Sequence, residues 1–128
     1  MARFSKELFD LAMQEKEVEL TTFGRKSGKP SRRILWIWGG DGRVYVRSGR
    51  GLGRDWPQNF LANGRGVLHL AGRDVPIRAR HVTDPAEARA GAAMIHAKYA
   101  SGTKPSAPDE PLNPGEQATF ELTPEDGG

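Results

Sequence analysis

Two stretches constrain this chain more than any others. ILWIWGGDGRVYVRS (34–48) and VLHLAGRDVPIRARHV (67–82) each set a short apolar run on either side of a tight turn rich in Gly and Asp. Such turns supply the positive φ that closes a β-hairpin. No helix-length segment separates the two halves of either pair, so the βαβ alternation of a parallel sheet is missing. ILWIW (34–38) is apolar throughout and reads as one strand buried on both faces; RVYVRS (43–48) returns from it. Val18 to Thr22 and QATFELT (117–123) complete the set. With about six strands, the expected class is mainly β (α+β), an antiparallel sheet that closes into a small barrel or folds as a sandwich. Two or three helices would lie on its periphery. The 128 residues fit one domain, 1–128, with 124–128 as a tail.

The helices are announced by their caps. Ser5 can open the first, with Leu8, Phe9, Leu11 and Ala12 as its apolar stripe. Asp55 stands where a cap should be before WPQNFLANG, and Gly64 is placed to terminate that helix. Asp84-Pro85-Ala86-Glu87 reads as a capping box opening a helix to about Ala100, with Ala88, Ala92, Ile95 and Tyr99 on one face. A proline-rich loop, SGTKPSAPDEPLNPGE, follows. Pro76 implies that its strand starts at an edge or bulge.

Composition excludes several functions. With no cysteine, disulfides and thiol chemistry are out. His69, His81 and His96 have no metal-ligand spacing between them, and no G-x-S-x-G elbow is present. No apolar run approaches the roughly 18 residues that span a bilayer. The N-terminus lacks the apolar core of a signal peptide, so the expected home is the cytoplasm. A net charge of +3, mostly from arginine, favours an anionic partner but is too small an excess to call for nucleic acid.

The chemistry concentrates in VYVRSGRGLGRDW (44–56). In its strand Val44, Val46 and Ser48 share one face; Arg43, Tyr45 and Arg47 share the other. Glycines let backbone amides turn toward a ligand, the helix start adds unpaired amides and a partial positive charge, and arginines add bidentate donors shaped for phosphate. Arg47, Ser48, Gly49, Arg50 and Gly51 are thus the candidate anion cradle. A second basic loop, GRKSGKPSRR (24–33), lies one strand upstream. In a hairpin its Arg32 and Arg33 would approach Arg47 and Ser48. Trp36 and Trp38 read first as core, whereas Trp56, at a helix start, reads as a ligand or partner contact. Tyr45 is the one aromatic hydroxyl expected near the cradle. Aromatics beside an anion cradle suit a planar ring system carrying a phosphate.

TTFGRKSGKP (21–30), ILWIW, VYVRSGRG, Trp56 and Asn59 together resemble the split β-barrel flavin/deazaflavin oxidoreductases, including the deazaflavin (F420)-dependent nitroreductase-like proteins. The later AKY (97–99) is more similar to a small uncharacterised bacterial subfamily. The resemblance implies a six-stranded antiparallel split barrel. It also implies a cofactor phosphate on Lys26, Ser27, Arg47, Ser48 and Gly49, and a ring along Leu35, Trp36 and Val46. Two features depart from the pattern: Ser31 stands between Pro30 and the arginines, and the glycine loop is richer in arginine. The implied activity is hydride transfer from reduced F420, with FMN as the alternative, to a small electrophile such as a quinone, nitroaromatic or enoyl compound. The rival readings are a non-catalytic flavin- or deazaflavin-binding or storage protein and a basic-surface binding module. Open sheet edges imply a homodimer.

Overall fold

A computed structural model describes residues 3–99 and 104–125 of the chain. In chain order the elements are α1 (Lys6–Gln14), β1 (Val18–Phe23), β2 (Pro30–Leu35), β3 (Ile37–Gly40), β4 (Arg43–Arg47), α2 (Asp55–Asn63), β5 (Arg65–Leu70), β6 (Arg73–His81), α3 (Pro85–Tyr99), α4 (Pro114–Gln117) and β7 (Thr119–Pro124). The seven strands form one antiparallel sheet in the order β2-β1-β5-β6-β7-β4-β3. A single residue, Trp36, links the two end strands, β2 and β3, in the chain. The sheet therefore has to curl until its ends meet, which makes a split barrel with its seam at Trp36.

The expected class is the observed one, with seven strands where six were expected. The difference arises at ILWIW, which is not one strand: Ile34 and Leu35 end β2, pairing with β1, while Ile37 and Trp38 begin β3, pairing with β4. Nor is it buried throughout, since Ile34 is 65% exposed. A continuous apolar run concealed a change of partner.

Both hairpins close through two-residue turns of positive φ, although the second places Ala71, at 52°, where glycine or asparagine is favoured. Asp41 and Gly42 have φ of 53° and 79°, the pair of positive values a two-residue turn between twisted strands needs. Gly64 ends α2 in the left-handed conformation, φ 66°. Ser5 accepts the Leu8 N–H at 3.2 Å, and the Asp84 carboxylate accepts that of Glu87 at 3.1 Å. Asp55, in contrast, is the first residue of α2; the cap position belongs to Arg54, which makes no side-chain capping bond. The expected end of α3 at Ala100 and the tail beyond Glu125 lie outside the described residues. The proline-rich loop contains the short α4, opened by a complete Asn113/Glu116 capping box.

Pro76 does not mark a sheet edge, because β6 lies between β5 and β7. Its carbonyl accepts Glu125 N–H at 3.0 Å, so its nitrogen, on the same side of the strand, faces away from β5 and past the last β6–β7 pair, Ile77–Pro124. At that point its ring replaces no ladder donor.

The barrel interior is filled by Leu20, Ile37, Val44, Val46, Leu68, Ile77, Phe120 and Leu122, closed by Leu8 and Ala12 of α1 and by Trp56 and Phe60 of α2. A second cluster, Trp38, Tyr45, Val82, Ala88 and Ile95, lies under α3. It covers the face of β4 that carries Tyr45, which is buried there and shares the Glu87 carboxylate with Arg43. No helix among the described residues is long and apolar enough to cross a membrane.

Candidate functional site

A cleft of about 580 Å³ opens at the seam of the barrel. The end of β2 supplies Arg33 and Leu35, the seam supplies Trp36, and the strand-to-helix loop supplies Arg47, Ser48, Gly49 and Arg50. Arg54, Asp55 and Trp56 come from the start of α2, and Ile95 comes from α3. Four arginines against one aspartate leave the cleft strongly positive.

Arg47 sits at the end of β4, where its guanidinium presses on Gly115 of α4. Burial pushes it below the ordinary guanidinium range, and the charge of Glu116 works in the opposite direction. Its Nη1 is buried and has no hydrogen-bond partner among the described residues. A buried donor left unpaired costs free energy, and an acceptor brought by a ligand removes that cost. Glu116 is fully buried. Burial alone would raise its carboxyl, but bonds from Ser106 and Asn113 and the charge of Arg89 outweigh it and hold the group below its ordinary value.

The start of α2 is the second donor set. With no side-chain cap at Arg54 and with Pro57 in the first turn, the early amides of this nine-residue helix are left for a ligand or water. In the loop before it, Gly51 N–H donates to Ser48 carbonyl at 3.0 Å, closing a turn. Gly51 adopts φ 93°, and an added Cβ there would lie 3.4 Å from Pro114.

The structure brings together eight of the fourteen residues singled out from the sequence: Arg33, Leu35, Trp36, Arg47, Ser48, Gly49, Arg50 and Trp56. Lys26, Ser27 and Asn59 line a neighbouring pocket of about 340 Å³ that shares Asp55 with the cleft. Asn59 is 3% exposed and acts as a clip: it accepts Arg25 N–H at 3.1 Å and donates to Thr22 Oγ1 at 3.0 Å. Arg32 faces another way, onto Glu19 at 3.0 Å. Val46 is wholly buried in the core, and Gly51 lies behind the loop against Pro114. Arg32 and Arg33 belong to strand β2 rather than to a loop, and β2 pairs with β1, not β3; alternation along the strand therefore separates them. Trp56 is 6% exposed and packs on Phe60 and Phe120, so it is core as well as cleft wall. Tyr45 is not at the cleft; its hydroxyl donates to Glu87 at 3.1 Å.

Arg54 and α4 were missed by the sequence reading. Asn113-Pro114-Gly115-Glu116 is itself a capping-box pattern with proline at the first helical position, so α4 had a readable signal. Arg54 had none beyond its charge.

The curled seven-stranded sheet with its seam cleft defines the class of fold, a split β-barrel. More narrowly, the model of the F420H(2)-dependent quinone reductase family matches residues 7–108, and the chain belongs to that family. No curated protein matches the chain. Among solved structures it is similar to the conserved hypothetical protein Rv2991 from Mycobacterium tuberculosis, at 15% identity and a TM-score of 0.68, over 97% of this chain and 82% of that one. It is also similar to an F420-H2 dependent reductase (FDR-A), at 20% identity and TM-score 0.61, over 84% and 94%. A third is the heme storage protein HutZ from Vibrio cholerae, at 15% identity and TM-score 0.66, over 97% and 92%. At these identities the likeness is one of fold.

Proposed function

We propose that the chain is an oxidoreductase that binds reduced deazaflavin F420 in the seam cleft and delivers hydride to a small electrophile, a quinone first among the candidates. Membership of the F420H(2)-dependent quinone reductase family supports the cofactor, and the observation that carries the site is the buried, unpartnered Nη1 of Arg47 at a positive cleft. The cleft residues fit an acidic, ring-bearing group. Arg47, Ser48 and the turn at Gly49 and Arg50 would take its phosphate, with the start of α2 behind them. Arg33 and Arg54 would take further negative charge, and Leu35 and Trp36 would lie along the ring. Lys26 and Ser27, in the adjoining pocket, would meet a group that extends past Asp55. When bound, the cofactor supplies the hydride; the protein's part is to bind, orient and exclude water. That division needs no strong side-chain acid. Leu35, Trp36, Trp56 and Ile95 supply the apolar wall that keeps water from the reacting face. A homodimer and a soluble, cytoplasmic setting belong to the same proposal.

Titration of the purified chain with F420 and with FMN, followed by fluorescence, tests this. A charge-assisted hydrogen bond contributes roughly 1.5–3 kcal/mol, so Arg47→Ala should weaken F420 binding by about one to two decades. Arg73→Ala should change little, because Arg73 pairs with Glu7 at 2.6 Å on another face. Binding should also weaken as salt rises. If wild type binds FMN but not F420, the cofactor assignment is wrong; if it binds neither, the oxidoreductase reading falls.

A further inference from the structure

The seam of the barrel is held by the last turn of α3. Ile37, the first residue of β3, pairs opposite Val46 of β4, yet its amide and carbonyl are both taken by α3. Tyr99 Oη accepts the Ile37 N–H at 3.1 Å and lies 2.9 Å from the Ile37 carbonyl and 2.7 Å from that of Lys16. Lys98 Nζ donates to the Ile37 carbonyl at 2.5 Å and to the Glu15 carbonyl at 2.8 Å. A phenol has one proton, so Tyr99 serves one carbonyl at a time; when it donates to Lys16, Lys98 still covers the Ile37 carbonyl. Together these two side chains replace the strand that β3 lacks on its outer side. Burial raises the Tyr99 hydroxyl above the ordinary phenol range and lowers Lys98, as expected of groups drawn out of water.

The same phenol ring lies flat on Trp36, with centroids 4.1 Å apart and planes 5° from parallel. Trp36 is the linking residue at the seam and a wall of the cleft, and Ile95, one turn earlier on α3, is another. Backbone, phenol, indole and cleft thus form a continuous stack. An indole in the link between two strands has no ladder on both sides to fix it; here its orientation follows from a ring whose hydroxyl is bonded to backbone at two separate places.

We propose that Tyr99 is a positioning residue for the cleft. It touches Trp36 rather than the ligand, and through its bonds to Ile37 and Lys16 it holds the indole in the orientation that makes a flat wall. The cleft thereby favours planar ring ligands over flexible anions of equal charge. The ligand half of this inference rests on the cofactor reading above; the indole half does not.

The test separates the two. The full chain is labelled with 5-fluorotryptophan, and the three fluorine resonances are assigned by Trp36→Phe and Trp56→Phe. Wild type should give one narrow Trp36 signal. Tyr99→Phe keeps the ring and loses the hydroxyl, and should broaden or split that signal. Tyr99→Leu should move it toward the solvent-exposed position. Trp56, in the other core cluster, should stay where it is in both variants, which reports an intact barrel. A Trp36 signal unchanged in both variants overturns the proposal, and Tyr99→Phe alone decides it if the leucine variant fails to fold. In a second arm, F420 affinity should fall roughly 2- to 10-fold in Tyr99→Leu, the scale of one aromatic contact, with inorganic phosphate affinity unchanged. Equal losses for F420 and phosphate would mean that Tyr99 acts on the arginines and not on the indole, and would also overturn it. Failure of wild type to bind F420 removes the cofactor reading and leaves the fluorine result to judge Tyr99.

Discussion

Arg47 reaches the cleft only because the residue behind it has no side chain. A Cβ added at Gly115 would lie 2.8 Å from the Arg47 guanidinium carbon and 2.9 Å from Nη1, closer than real carbon atoms approach. Gly115 sits within the first turn of α4, where alanine is a good helix former, and the atoms it would meet are the mobile end of a long side chain. Gly115→Ala should therefore leave the fold almost untouched and push the guanidinium off its place. Phosphate or F420 affinity should fall about tenfold, the lower bound for one charge-assisted bond. The melting temperature should move by no more than a few degrees. A thermal melt beside a binding titration reads both; unchanged affinity would show that Arg47 does not hold the anion. Trp56 gives the opposite lesson about single residues. Its place at a helix start suggested exposure, but α2 closes one end of the barrel, and the indole fills the space between Phe60 and Phe120.

The start of α2 lacks a capping side chain although it faces the cleft, and this is an element-scale compromise between stability and binding. Serine at the cap position would accept an early amide of the helix and stabilise the chain by about 0.5–2 kcal/mol. The same bond would remove a donor from the ligand. Arg54→Ala and Arg54→Ser lose the same charge, so their difference isolates the cap. Arg54→Ser should melt higher than Arg54→Ala and bind F420 or phosphate more weakly; equal binding by the two would show that the helix start takes no part. Legibility in the sequence divides along the same line. Caps and tight turns are local, so Ser5, Gly64, the Asp84 cap (though not the reciprocal bond of a full box, since the Glu87 carboxylate goes to Arg80 and Tyr45) and both hairpins could be read from neighbouring residues. Which arginine enters the cleft could not. Arg33 lies opposite Leu20 and Arg32 opposite Thr21, so a choice between two adjacent residues of one type depends on the β1–β2 register and on the break at Trp36. An unbroken apolar run hides both. The backing of Arg47 by Gly115 was beyond reach for another reason: 68 positions separate them in the chain, and only closure of the sheet through β7 brings them together.

At the scale of the whole molecule, the curled sheet leaves its two ends in different states. The outer side of β3 is occupied by Tyr99 and Lys98 from α3. The end strand β2 pairs only with β1 and carries Ile34 at 65% exposure, on the rim shared by the arginine cleft and the pocket that contains Arg32. An open strand with an exposed isoleucine invites association, but Arg32 and Arg33 resist direct strand pairing, since an antiparallel copy would bring like charges together. A second chain is therefore expected to cover the face that carries Ile34 rather than extend the sheet. The contact would lie beside the cleft and narrow its mouth. The expected species is a symmetric dimer of the 14.0 kDa chain. Ile34→Asp, which places a charge on that face and leaves every arginine in position, should shift the molecule to monomer in light scattering at micromolar concentration. It should also weaken F420 binding, because the cleft is then left open to water and gains a negative charge on its own rim. A wild-type chain that scatters as a monomer would remove the dimer, and an Ile34→Asp variant that remains dimeric would place the interface on another surface.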